Sequence, residues 1–194
     1  MTDVIDTLAG LAPGTALNKA RDNRPEARKH AQASYDALFE TADFSGASRQ
    51  ERFAVASFVA GLHGRPETAD HYAGKLAEAG ASPALKSAVV AEIAAAKGKG
   101  PYGSYPKGPL SIENTPGPSH RANEAALGKR LASAFEHTHM LVFHPRDAAP
   151  PSLQAMLDAG WSTTDIVVLS QLVSFLSYQI RVVAGLKALA GASQ

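Results

Sequence analysis

Cysteine is absent from all 194 residues. Thiolate metal sites, disulfide scaffolds and thiol peroxidase chemistry are therefore excluded within this chain, because each needs the sulfur itself. An excess of one charge is also missing, since 19 Lys+Arg stand against 18 Asp+Glu for a formal net charge of +1. With no basic block interleaved with aromatics, the electrostatic footprint of a nucleic-acid binder is lacking. The stretch MTDVIDTLAG carries Asp3 and neither a basic n-region nor a long apolar run, so a cytoplasmic protein is expected. Strand alternation of useful length, a fixed-period repeat, a glycine-rich phosphate loop and a GxSxG elbow are missing too. No cofactor is expected.

What is present is helix punctuation. Thr2 is placed to cap a short helix that stops near Gly10, and Pro25 sits at the first turn of PEARKHAQASYDALF. In that helix Ala31, Tyr35, Leu38 and Phe39 share one stripe. Ser48 and Glu51 match a capping box that opens RQERFAVASFVAGLHG, closed by Gly64. Pro66 opens PETADHYAGKLAEAG, closed by Gly80, and Ser82-Pro83 open PALKSAVVAEIAAAKG, closed by Gly98. A helix resumes around Arg121 and ends before His144-Pro145, PPSLQAMLDAG makes a short one, and Ser162 to Asp165 start the longest. The spacing predicts one all-α bundle over residues 1–194, with a short extension (1–24) and a Gly/Pro-rich arm (98–120). That arm, with Tyr102, Tyr105, Leu110 and Ile112 as anchors, is read either as ordered over a pocket or neighbouring subunit or as disordered.

The final helix would span about 42 Å if continuous from Thr163 to Ala190. It is apolar nearly all round, through Ile166, Val167, Val168, Leu169, Leu172, Val173 and onward. Gln171, Tyr178, Gln179, Arg181 and Lys187 interrupt it, so it reads as a buried helix of a homo-oligomer rather than a membrane span.

Several residues are candidates for chemistry. Glu51 is either the capping box alone or also a general acid or base. His71 follows Glu67 by four residues on one helical face, a spacing that can orient an imidazole, with Tyr72 beside it as a candidate substrate contact. His63 before Gly64 reads as a helix-end residue favoured by the dipole. His137, His139 and His144 lack a metal-ligand spacing, because positions two apart on a helix point about 200° apart, and no metal is expected. Arg181, inside SYQIRVV, must reach solvent or find an acid, with Glu51 the first partner to consider; Arg52 is a second candidate clamp for a substrate carboxylate.

The run ERFAVASFVAGLHGRPETADHYAGKL and the ending MLVFHPRDAAPPSLQAMLDAGWSTTDIVVLSQLVSFLSYQIRVVAGLKAL resemble the carboxymuconolactone decarboxylase and AhpD-like alkylhydroperoxidase superfamily. The resemblance implies a helical fold, homo-oligomers (trimers or hexamers, with a dimer allowed) and sites between helices near subunit contacts. It places His71 at the family histidine and Glu51 within one position of its glutamate, while Gly64 and Glu67 stand where the peroxidase branch has cysteines. What it leaves is cofactor-free acid–base chemistry on a small organic acid or lactone, with His71 as proton shuttle and Arg181 or Arg52 as carboxylate clamp. The alternative is a non-catalytic helical oligomer that binds a ligand or scaffolds a cysteine-bearing relative.

Overall fold

A computed structural model describes residues 3–44 and 46–192. These residues form nine α-helices and no β-strand: α1 (Val4–Ala9), α2 (Ala16–Ala20), α3 (Pro25–Phe39), α4 (Arg49–Leu62), α5 (Pro66–Glu78), α6 (Pro83–Ala95), α7 (Glu124–Phe143), α8 (Pro150–Asp158) and α9 (Thr163–Ala192). The all-α expectation holds.

Helix starts follow local chemistry. Thr2 lies outside the described residues, and Asp3 caps α1 by accepting from the Asp6 amide at 3.0 Å. At α4 the Ser48 hydroxyl accepts from the Glu51 amide (3.3 Å) while the Glu51 carboxylate accepts from the Ser48 amide (2.8 Å), which completes the capping box. Ser162 and Asp165 repeat that exchange at the start of α9. α6 ends at Ala95, short of Gly98. α7 begins at Glu124, capped by Asn123, and Gly128 (φ 75°, ψ 153°) breaks it one turn later.

α4 is the core helix, packed against α5, α6, α7 and α9. Phe53 and Phe58 on it are fully buried, the first stacked on Phe39 (5.0 Å between centroids) and the second on Phe135 (4.3 Å). Each such ring stabilises the fold by about 1.5–3 kcal/mol through burial. The stripe Ala31, Tyr35, Leu38 and Phe39 is buried as its spacing predicts. The segment before α3 is fastened to this core: Val4, Ile5 and Leu8 are buried, and buried Asp6 accepts from Arg21 (2.5 Å), Arg28 and Asn18 (2.9 Å).

The arm packs on the body, but not through all the residues its composition suggested. Tyr102 donates its amide to Phe143 O (2.5 Å), Gly103 bridges to Thr115, and Arg146 lies 4.2 Å over the Tyr105 ring. His144 reaches Pro118 O at 2.9 Å, and His120 reaches Glu92 at 2.7 Å. Leu110 and Ile112 stay in solvent, Ile112 at 91% exposure, because the 3-10 turn Pro109–Glu113 carries them away from the body.

α9 is covered on one side within the chain. Ile166, Leu169, Leu172, Val173, Leu176, Ile180 and Val183 face the core, while Val167 (55% exposed), Ser174, Tyr178 and Arg181 face outward. By length and composition this helix meets the requirement for a membrane span, and half of its most apolar window is buried in the protein.

Candidate functional site

The N-terminal end of α4 is occupied by structural bonds. One Glu51 oxygen serves Ser48, and the other accepts from Arg130 Nε at 2.8 Å. Arg130 also donates to Gly46 O (2.6 Å) and Gly160 O, and its guanidinium lies 3.6 Å over the ring of Trp161, the single tryptophan. The Trp161 indole N–H in turn donates to Arg130 O (2.8 Å). Gly46 has φ +82°, and a Cβ there would stand 1.8 Å from Asp165 Oδ1, so only glycine lets this loop close on the start of α9. One arginine thus ties together the loop before α4, the cap of α4, α7 and the α8–α9 turn.

The remaining expected site residues are dispersed. Among the described residues no hydrogen bond, ion pair or ring contact joins Glu51 to His71, Arg181 or Arg52. Glu67 pairs with Lys187 of α9 at 2.7 Å instead of orienting His71, and that bond draws its carboxyl below the usual range. Tyr72 is fully buried and donates to Gln179 Oε1 at 2.6 Å; burial raises its pKa well above the ordinary value. Arg181 reaches solvent and donates to Ser177 O (2.9 Å), as a charge on an apolar helix does when no buried acid meets it. His71 stands edge-on to Tyr72, its Nε2 is buried with no partner, and burial first, then Lys75, lowers its pKa.

The three later histidines fill other roles. His137 Nε2 lies 2.9 Å from Ser170 Oγ, whose proton goes to Ile166 O at 2.7 Å, so the imidazole donates and the serine is not activated as a nucleophile. His139 packs between His120, Phe143 and His144, and burial pushes it down to about 4. His144 lies 2.9 Å from both Asp147 and Pro118 O and holds the arm. No group of three His, Asp or Glu side chains among the described residues converges as a metal set.

A cavity of about 930 Å³ runs along the outer side of α9 between α3 and α8. Leu38, Leu153, Leu157, Val167, Val168 and Phe175 make it mainly apolar, and Leu153 and Val167 form an exposed rim. Its polar groups are few: Arg52, Asp43, Gln171 and the hydroxyls of Ser34, Thr163, Ser170 and Ser174. This is the usual composition and size of a small-molecule site. Arg52 is buried there; its Nε donates to Ala47 O and its Nη1 to Leu38 O, both at 2.9 Å, and its guanidinium lies 4.9 Å over Phe44. No carboxylate lies within ion-pairing distance of it among the described residues, although Asp165 and Asp43 act on it from further off; burial lowers its pKa. Of the expected residues only Arg52 lines this cavity. The cavity itself left no motif in the sequence, because its walls come from α3, the loop after it, α4, α8 and α9.

The described residues define an all-α bundle with a mainly apolar cavity of small-molecule size. Compared with models of known protein families, with curated proteins and with solved structures, the chain gives no match.

Proposed function

We propose that this protein binds an apolar carbonyl compound, of the size of a medium-chain lactone or acid, in the cavity between α3, α8 and α9. The observation that carries this reading is Arg52: a buried guanidinium, held by two backbone carbonyls and, among the described residues, without an ion-paired carboxylate, set in a mainly apolar cavity of about 930 Å³. Its unused donors suit an acceptor oxygen, and the apolar walls suit a hydrocarbon body. Because Asp43 also lines the cavity, the local field favours a neutral carbonyl over a full carboxylate.

The test is calorimetric titration with gamma-decalactone, decanoate and decanol. Affinity falling in that order, and abolished by Ala37→Trp on the exposed rim of α3, supports the reading; decanol binding as tightly as the lactone contradicts it. So does a homodimer that buries Val167 and Leu153 and excludes all three compounds.

A second reading, the acid–base chemistry of the decarboxylase family, is favoured by the unpartnered Nε2 of His71. A half-buried imidazole whose Nε2 has no partner among the described residues is suited to carrying a proton. His71 is not part of the cavity lining, so this reading requires a different binding place. Loss of turnover on lactone acids in His71→Gln, with the fold retained, supports it, and unchanged turnover removes it.

A further inference from the structure

A second cleft, of about 490 Å³, opens at the C-terminal end of α4. Its walls are that helix end, the Gly98–Pro101 turn that starts the arm, the last turn of α7 and the stretch of α9 from Val173 to Arg181. His63, Lys99 and Arg181 border it, together with the hydroxyls of Ser174 and Ser177, and no Asp or Glu is among its lining residues. Two other lysines behave differently. Lys75 and Lys187 each hold a glutamate at 2.7–2.8 Å, whereas neither Lys99 nor Arg181 has a carboxylate within ion-pairing distance among the described residues.

Arg181 spends one N–H on Ser177 O, which lays the guanidinium along the helix and leaves its other donors open. His63 Nε2 lies 3.2 Å from Ser177 Oγ, so this ring forms part of the same polar wall. Leu141 and Phe143 of α7, with Val173 one turn before Ser177 on α9, make the apolar part of the lining. Two full positive charges without a counter-charge favour a dianion over a monoanion, and the apolar wall calls for an organic body attached to it.

The geometry points to a binding site for a phosphate monoester in this cleft, with the phosphate between Lys99 and Arg181 and the organic group against Leu141 and Val173. The site is separate from the lactone-sized cavity, with which it shares only Ser174. The state of His63 agrees with an electropositive surrounding: burial pushes its pKa down to about 4, and Arg181 and Arg65 push in the same direction. An anion bound there must reverse part of that shift, because a nearby negative charge favours the imidazolium.

The experiment is an NMR titration of the His63 ring in the full chain at about pH 8, where the ester is a dianion, with phenyl phosphate, inorganic phosphate and phenol as probes. Phenyl phosphate is expected to shift the His63 ring resonances saturably at millimolar concentration, with inorganic phosphate weaker and phenol inactive. The double variant Lys99→Gln/Arg181→Gln, which alters only exposed side chains, should bind phenyl phosphate at least about tenfold more weakly. Unchanged affinity in that variant, or a His63 ring that does not respond to millimolar phenyl phosphate, overturns the proposal. Inorganic phosphate binding as tightly as the ester overturns the role of the apolar wall.

Discussion

The two ends of α4 present similar residue types and use them differently. At the N-terminal end Glu51, Arg130, Ser48 and Trp161 satisfy one another, and the backbone carbonyls of Gly46 and Gly160 take the remaining donors. At the C-terminal end His63 faces a cleft where Lys99 and Arg181 meet no acid among the described residues. Saturated polar groups hold structure, because removing one member strands the rest. Unsaturated ones at a cavity remain open for a ligand.

The comparison can be broken by substitution. Arg130→Ala should have the largest effect, about 3 kcal/mol of lost stability in urea denaturation, since it strips a charged bond from Glu51 and two carbonyls and uncovers Trp161. Glu51→Gln, which keeps the shape but removes the charge from the cap and from Arg130, should cost about 1.5 kcal/mol and leave lactone affinity unchanged. A large loss of ligand affinity in that variant would mean that Glu51 belongs to a site after all.

His63 supplies a pH test. Its folded pKa of about 4 lies below the ordinary 6.5, so between those values the unfolded chain binds more protons than the folded one. Its contribution is therefore fully present above about pH 6.5 and is lost as pH falls toward 4. His139, also pushed to about 4 by burial, acts in the same direction. Replacing His63 by Gln should flatten the acid side of the stability profile by about 1 kcal/mol, a figure discounted for the partial exposure of the ring. A steeper profile would contradict the assigned shift. Arg181→Gln comes last: its stability effect should stay within about 0.5 kcal/mol, because the side chain is exposed and pairs with no acid.

Local signals in the sequence carried the helices. Ser48 with Glu51, Ser162 with Asp165, and the prolines at 25, 66, 83 and 150 act within one turn of where they stand, so their spacing is read directly. Long-range partners were not readable. Arg130 lies 79 residues from Glu51, Lys187 lies 120 from Glu67, and Gln179 lies 107 from Tyr72. Each of these bonds redirects a residue whose neighbours in sequence suggested chemistry: Glu67 and His71 share a helical face, yet the stronger partner for Glu67 is a lysine on another helix. A lone tryptophan that needs an acceptor for its N–H was the nearest signal to the Arg130 junction, and it names no partner. Arg52 was singled out as a carboxylate clamp, and it does line the cavity beside α9, but the walls that make that cavity apolar are assembled from three helices.

The central claim is that Arg52 holds the polar end of an apolar ligand between α3, α8 and α9. A crystal structure of the protein soaked with gamma-decalactone tests it most directly. The account predicts the lactone carbonyl within hydrogen-bonding distance of Arg52 and the alkyl chain along Val168 and Phe175. A lactone bound elsewhere, or a cavity filled by a neighbouring copy with Arg52 facing only protein, would contradict it.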